Sequence, residues 1–408
     1  MSATSADWPE EVTYTSYNFV AVDELRRLPQ EDVQFLTIKS CFSLPRQGCL
    51  DDLVQAFFSF VHPGLPVLDE SQFLMTYNSK DCNSTPPMSL FVMQCLLWVS
   101  CPFVSSKVIR EAGYDSIKHA RSLFYQRAKL LYDLNTERCH VSLATGALLL
   151  TYRFDPDDRQ GGSTWLSQAI HHARAVQSSE FDKICPGVYP RVVLKRLWWC
   201  IYMRDRILPM GLHRPMQIQP SDIDQDMEPL SEADLAGQYP VLSSVYDLAV
   251  KTRLSQIFIN QCKLAAIMGD VMAVTRQQDH GTSKTGSSRS AGDSEIDLYS
   301  RITSIRQRLT AWYRLTRNAV GDPASVEHPR RAALMFANVA FMYYYATQMC
   351  LTNYELSLLE SGVPAKDYTY EEKLQLIHYD LKESCLGLER IATVFVTGGI
   401  VHHLPVST

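Results

Sequence analysis

The segment LKRLWWCIYMRDR, residues 194–206, combines an apolar helical pattern with several charges. Its apolar side chains recur at the spacing of one helix face: Leu194, Leu197, Trp198, Ile201 and Tyr202. The segment GLHRP, residues 211–215, follows it with a glycine and a proline, which are typical signals for the end of a helix. This part of the sequence therefore predicts a helix that ends in a shaped turn.

Charged residues lie on the same helix as these aromatic residues: Arg196, Arg204, Asp205 and Arg206. Two interpretations fit them: a ligand or partner site, or an ion-paired network that fixes how neighbouring helices meet, for which the planar fork of arginine is suited. Because a buried charge without a partner is costly, we interpret the charges as paired, and Asp205 as a brace rather than a catalyst. Trp198 and Trp199 point about 100° apart on a helix, so we expect one in the core and the other against a neighbouring element or a groove.

Helical periodicity extends over most of the chain, and no alternating β pattern competes with it. Residues 50–58 form the first strong run, and HPG at 62–64 breaks it. Asp69 then has the character of a helix N-cap, with Gln72 at the capping-box position. Further apolar runs cover residues 88–101, 117–134, 141–152, 164–177, 191–208, 243–274, 296–318, 330–356 and 371–396. The sequence predicts an all-α protein, built as an irregular multi-helix array.

The same patterns divide the chain into four segments. Residues 1–40 are a polar N-terminal segment, in which a short helix is expected to end at Pro29. The motif-bearing part of the helical domain covers 41–274, a flexible Ser/Gly-rich loop covers 275–294, and the helical domain continues over 295–408, where we expect it to be truncated at its C-terminal end.

Within the last segment, an apolar seam steps by four and three residues: Leu298, Ile302, Ile305, Leu309 and Trp312. Four arginines fall off this seam, and we expect them to face water: Arg306, Arg308, Arg314 and Arg317. Residues 332–351 carry no charge over about the 20 residues that a membrane span requires. A tyrosine cluster at its centre, 343–345, favours a buried core helix over a membrane span, because tyrosines in membranes prefer the interfaces.

Composition and charge exclude several classes of protein. The chain has 408 residues, of which 46% are hydrophobic and 20% charged, as in an ordinary globular protein. Its formal charge is −5, so the chain lacks the excess of basic residues with which a domain binds DNA by itself. Eleven cysteines are scattered without a Cys-x-x-Cys pair or a signal-peptide pattern, which indicates an intracellular, reduced protein.

No catalytic, cofactor or metal site is predicted. The acidic run 222–228 resembles the start of an EF-hand loop, but Met227 and Ala233 stand where that loop needs glycine and glutamate. The aspartates of residues 155–158 lie in a Pro and Gly loop rather than on a helix, which argues against a terpene-cyclase metal motif. Histidines 171–172 and 402–403 are adjacent pairs, which diverge on a helix instead of converging on a metal.

The segment around the tryptophan pair resembles the signature of the fungal transcription factor regulatory middle homology region, and in particular of regulators similar to cutinase transcription factors. Arg-Leu-Trp-Trp, Arg-Asp-Arg and Gly-x-x-Arg-Pro recur there in this order; one departure is His213, where the family often has glycine. Segments 57–73, 120–133 and 165–169 resemble other blocks of the family. The residues carried over as the structural core of the motif are Arg196, Leu197, Trp198, Trp199, Arg204, Asp205, Arg206, Gly211, Arg214 and Pro215.

The resemblance implies a nuclear, non-enzymatic regulator of metabolic or biosynthetic-pathway genes. It also implies protein partners, such as a DNA-binding regulator or a second copy, and a small-molecule effector in some relatives, with no membrane. The family's binuclear zinc cluster is not found in this sequence, so zinc is expected only if such a cluster lies upstream, and DNA contact would be indirect or through that missing domain. The competing class is a small-molecule-binding helical protein or enzyme recruited from the same scaffold. We further expect an exposed apolar groove near residues 400–408.

Overall fold

The computed structural model describes residues 11–13, 17–21, 27–79, 87–153, 160–177, 190–212, 214–219, 228–236, 245–276, 291–321, 331–361 and 369–404. The chain is all-α, as the sequence predicts. Over these residues its only sheet is a short antiparallel pair of β1 (Glu11–Thr13) and β2 (Ser43–Pro45).

The chain divides into two compact units, which are described separately. The first comprises the residues up to Ile201 together with 233–247, and the second comprises 202–232 and 248–404. Two of the divisions between the units fall within helices, after Ile201 and after Glu232.

The first unit contains α1 (Gln30–Ile38), α2 (Gln47–Ala56), α3 (Glu70–Asn78), α4 (Leu90–Ser100), α5 (Ser106–Glu111), α6 (Ile117–Asp133), α7 (His140–Leu150) and α8 (Gly161–Gln177). A π-helical turn at 57–61 and a 3-10 turn at 62–64 follow α2. Two helices contribute residues to both units: α9 (Arg191–Leu212) and α10 (Glu232–Ala236). The second unit contains α11 (Leu248–Arg276), α12 (Ala291–Val320), α13 (Arg331–Glu360) and α14 (Tyr370–Thr397).

Helix α4 is the centre of the first unit, because every one of its residues is buried. The Ser89 side chain caps it by accepting a hydrogen bond from the Val92 amide. Its only polar side chain before the last residue, Gln94, donates to the carbonyls of Cys41 and Ser43 at 3.1 and 2.9 Å, which fixes the start of β2 against the helix. The apolar run thus forms a core helix, with α6 and α7 packed on it.

The polar N-terminal segment contains a helix that the sequence analysis did not predict, α1. Pro29 precedes this helix, and its φ of −53° suits the position before a first helical turn. Residues 22–26 of the expected short helix lie outside the described residues. The predicted N-cap at Asp69 is confirmed, since its carboxylate accepts a hydrogen bond from the Gln72 amide at 3.0 Å.

Four side chains on α6, α7 and α8 form a hydrogen-bonded chain inside the first unit. Nδ1 of His172 lies 3.0 Å from Nδ1 of His140, and its Nε2 lies 2.9 Å from the Tyr132 hydroxyl. Tyr132 donates to Gln168. Burial, with smaller contributions from His140 and His171, lowers the pKa of His172 to about 4. His172 is therefore buried in its neutral form.

The second unit is built on α11, which packs against α12 and α13. Among the described residues, α11 is the one helix long and apolar enough to cross a membrane, and most of its apolar stretch is buried inside the protein. The stretch 332–351, singled out from the sequence, lies in α13 instead. Its tyrosines pack on α12, where Trp312 stacks on Tyr344 with the ring centroids 5.6 Å apart.

The predicted seam of α12 is buried at Ile302, Ile305, Leu309 and Trp312. The expectation that its arginines face water holds for Arg308, Arg314 and Arg317, which are exposed, and is wrong for Arg306. Arg306 forms ion pairs with Glu355 of α13 and Asp380 of α14. The helix period placed Arg306 off the seam correctly, but neighbouring helices bring carboxylates to that side.

Both ends of the predicted Ser/Gly-rich loop, residues 275–294, are helical. Helix α11 continues to Arg276, and α12 begins at Ala291. Residues 277–290 lie outside the described part of the chain.

We expect Gly387→Ala to destabilise the second unit. A Cβ at this position of α14 would lie 2.3 Å from Cζ of Tyr345 on α13, so the Tyr345 ring or one of the two helices would have to shift. The free energy of unfolding, measured by urea denaturation, should fall by about 1–3 kcal/mol. Gly48→Ala on α2 is the matched control, since its Cβ would meet nothing within 4 Å. Equal effects of the two substitutions would contradict this packing.

We expect His172 to make the protein acid-sensitive. Because its pKa is lower in the folded state than in the unfolded chain, only the unfolded chain gains a proton between about pH 6.5 and 4. The free energy of unfolding should therefore fall by about 1–2 kcal/mol between pH 7 and pH 5. The fall should be smaller in His172→Gln and unchanged in the control His378→Gln, whose side chain is exposed on α14. An identical pH dependence in all three proteins would show that His172 is not responsible.

Candidate functional site

Helix α9 carries the motif from which the sequence analysis began. It runs from Arg191 to Leu212 with Pro209 inside it. Gly211 lies in its last turn, and the Arg214 amide donates to the Pro209 carbonyl at 3.0 Å, which closes the helix end. The predicted helix with a terminating turn is confirmed. His213, the departure from the family pattern, lies outside the described residues.

The motif residues differ in burial along the helix. All of the family-motif residues from Arg196 to Arg206 are buried, including both tryptophans. Gly211 and Pro215 are exposed and Arg214 is half-buried. The division between the two units falls between Ile201 and Tyr202. The tryptophans therefore belong to the first unit and the Arg-Asp-Arg triplet to the second.

In the first unit, the charged partner of the motif is Asp69. Nη1 of Arg196 lies 3.6 Å from Oδ2 of Asp69, whose other oxygen caps α3. Lys195, the residue before, forms a separate ion pair with Asp234 on α10 at 2.8 Å. The Asp69 carboxylate therefore both caps α3 and faces Arg196 on α9. The sequence predicted only the first of these two roles.

In the second unit, Asp205 is fully buried, and three hydrogen-bond donors reach its carboxylate. Oδ1 accepts a hydrogen bond from the Gln217 amide at 2.9 Å, and Oδ2 accepts one from the Ile218 amide at 3.1 Å. Arg206 forms an ion pair with the same carboxylate and donates to the Ile218 carbonyl at 3.1 Å. The Asp205–Arg206 pair thus binds the backbone of the segment that follows the helix.

Two further contacts fix the Arg206 guanidinium. Its central carbon lies 4.3 Å from the ring centroid of Tyr202. A Cβ at Gly269 of α11 would lie 2.9 Å from Nε of Arg206, so glycine allows this close approach. Burial raises the pKa of Asp205 to about 6, although Arg206 and the two backbone amides act to lower it.

Sequence reasoning found the charges and missed most of their partners. Gln217, Ile218 and Gly269 carried no signal, since a backbone amide and a helical glycine look the same whether or not a charge reaches them. The pairing of His172 with His140 was also missed, because the two residues are 32 positions apart and meet only through helix packing.

Other candidate chemistry does not assemble in the described residues. No group of three or more His, Cys, Asp or Glu side chains that could hold a metal ion occurs in this part of the chain. The acidic residues 222–227 and 155–158, weighed above as metal motifs, lie outside it. His402 and His403 lie in a 3-10 turn after α14.

Comparison with known proteins gives one family and a set of relatives. A family model described as a fungal specific transcription factor domain matches residues 54–314. Cutinase transcription factor 1 beta of Fusarium vanettenii is 27% identical over 401 residues, which cover 90% of this chain and 44% of that protein. The acetamidase regulatory protein of Aspergillus fumigatus is 31% identical over 48% of this chain and 24% of its own length.

A third relative is the fusaric acid cluster transcription factor of Fusarium oxysporum f. sp. lycopersici. It is 26% identical over 69% of this chain and 40% of its own length. No solved structure matches the chain. The chain spans less than half the length of each of these relatives. With the family model matching well over half of its residues, including the whole motif on α9, the chain belongs to the fungal specific transcription factor domain family.

Proposed function

We propose that this chain is the helical regulatory region of a fungal transcriptional regulator that controls a set of metabolic or biosynthetic-pathway genes. The observation that carries the proposal is the family match over residues 54–314, which contains the whole motif from Arg196 to Pro215. The names of the relatives point the same way, since they refer to cutinase, acetamidase and a fusaric acid cluster.

In this proposal the chain acts in the nucleus through protein partners. Its net charge of −5 does not favour a DNA-binding face within the chain. DNA would be reached through a DNA-binding partner, a second copy or another domain. The competing class, a small-molecule-binding protein or enzyme on the same scaffold, is not favoured by the relatives, whose names are those of regulators.

A reporter assay tests the function. The full 408-residue chain would be fused to a bacterial DNA-binding domain in a fungal host, with that domain's operator placed upstream of a reporter. We expect reporter transcription to rise or fall relative to the DNA-binding domain alone, and transcripts of a metabolic gene set to change in a strain that lacks the chain. An inert fusion together with an unaltered transcript profile would refute the proposal.

We also propose that the buried motif residues act as structural elements of their units: Leu197, Trp198, Trp199, Arg204, Asp205 and Arg206. Asp205 supports this most clearly, because its carboxylate holds two backbone amides and one guanidinium in a site with no exposure to solvent. A brace of this kind positions residues 214–219 after the helix rather than reacting with a substrate.

Asp205→Asn should therefore lower the free energy of unfolding by about 3–5 kcal/mol, because it leaves Arg206 buried without its counter-charge. Asp270→Asn is the matched control, since Asp270 pairs with Arg308 on the surface, and such pairs are worth about 0–1 kcal/mol. Both variants would be measured by urea denaturation and in the reporter assay.

The double variant Asp205→Leu, Arg206→Met separates the charge pair from the backbone contacts. It removes both charges, yet the Gln217 and Ile218 amides still lose their acceptor. We expect it to remain destabilised. Wild-type stability of Asp205→Asn would show that the carboxylate is not a brace.

A further inference from the structure

Arg196 is a buried arginine whose hydrogen-bonding capacity is largely unused. The residue is 3% exposed. Among the described residues its Nε and Nη2 have no hydrogen-bond partner. Within the described part of the chain, its one ion pair is the 3.6 Å approach of Nη1 to Asp69, which is longer than a hydrogen bond. A buried cation with unbonded donors lowers the stability of the folded protein. The free-energy penalty of an unbonded buried donor is larger on a charged group than on a neutral one.

The two unpaired atoms lie on the same edge of the guanidinium. Nε–H and the adjacent N–H of Nη2 point in parallel directions, which is the fork that a carboxylate or phosphate group accepts with two parallel hydrogen bonds. Nη1, on the other side, is the atom that faces Asp69. The protein therefore engages one end of the guanidinium and leaves the bidentate edge unpaired.

Arg206, ten residues along the same helix, shows a different arrangement. Both of its Nη atoms are engaged, one by Asp205 and the other by the Ile218 carbonyl, and only Nε lacks a partner. Its guanidinium also packs on Tyr202. Arg206 is thus held on several sides by its own unit, whereas Arg196 is held on one.

Asp69 does not neutralise Arg196 fully. Its side chain is 22% exposed, so water competes for its charge, and Oδ1 is already used by the Gln72 amide. The adjacent Lys195 is paired with Asp234 and brings no further carboxylate to Arg196. The surroundings that the structure describes therefore favour one additional anion at the free edge.

We propose that Arg196 is an oxyanion-binding residue, which holds the carboxylate or phosphate group of a small molecule side-on through Nε and Nη2. Binding of this group is independent of the proposed function; its use as an effector site in transcription rests on that function. Carboxylate and phosphate share the chemistry that the fork recognises, and the experiment distinguishes them.

The test is thermal unfolding of the full chain at constant ionic strength, with sodium chloride replaced by sodium formate or by sodium phosphate, and with formamide as the neutral analogue of formate. We expect formate, phosphate or both to raise the Tm by about 2–4 °C more in the wild type than in Arg196→Met. Formamide should give no such difference. General salt effects on stability are common to both proteins and cancel in the comparison.

Two variants keep the result interpretable. Arg191→Met, at an exposed position of the same helix, should retain the wild-type response. Arg196→Lys keeps the charge but loses the fork, so it should lose most of the response. In chloride alone, Arg196→Met should keep or raise the Tm, because it removes a poorly paired buried cation.

Two outcomes would overturn the proposal. One is an equal response to formate and phosphate in the wild type, Arg196→Met and Arg196→Lys. The other is a Tm of Arg196→Met that falls by several degrees in chloride without any Arg196-dependent anion response, which would show that Arg196 is a structural brace like Arg206. Because the readout is binding and not transcription, a negative result here leaves the reporter assay informative on its own.

Discussion

A buried carboxylate must be matched by donors, and the second unit is organised around that requirement at Asp205. Its side chain has no exposure to solvent, and three donors reach it, from Arg206 and from the amides of Gln217 and Ile218. Meeting this demand brings the chain back beside the helix after residue 212. Arg206 in turn needs the glycine at position 269 for close approach of α11. One ionised group thereby constrains a helix end, the segment after it and a neighbouring helix.

The same motif contains an arginine that the protein satisfies less completely. Of the residues that the structure describes, Asp69 is the one carboxylate that Arg196 approaches, at 3.6 Å, whereas Arg206 is engaged through both terminal nitrogens. If all the motif charges served only to join helices, both should be equally well paired, since unpaired buried donors lower stability. We propose that the difference separates a bracing role, at Arg206, from a binding role, at Arg196, within a single helix.

The sequence predicted the parts of the structure that depend on local periodicity and capping. The helix through the tryptophan pair, the apolar seam of α12 and the N-cap at Asp69 all follow from spacing within a few residues. The features it missed depend on residues far apart in the chain. Arg306 is paired because α13 and α14 place Glu355 and Asp380 beside it, and His140 meets His172 only after α7 and α8 pack. Helix α1 was not predicted, because a proline can stand before a helix as well as after one.

If the Asp205 carboxylate holds the backbone after α9 in place, its two amide partners should be protected from exchange with solvent. Amide hydrogen exchange at residue resolution measures this, because exchange reports whether a specific N–H is bonded in the folded state. We expect the amides of Gln217 and Ile218 to exchange about as slowly as those in the middle of α11. Exchange of these two amides at the rate of unprotected loop residues, with α9 and α11 still protected, would contradict it.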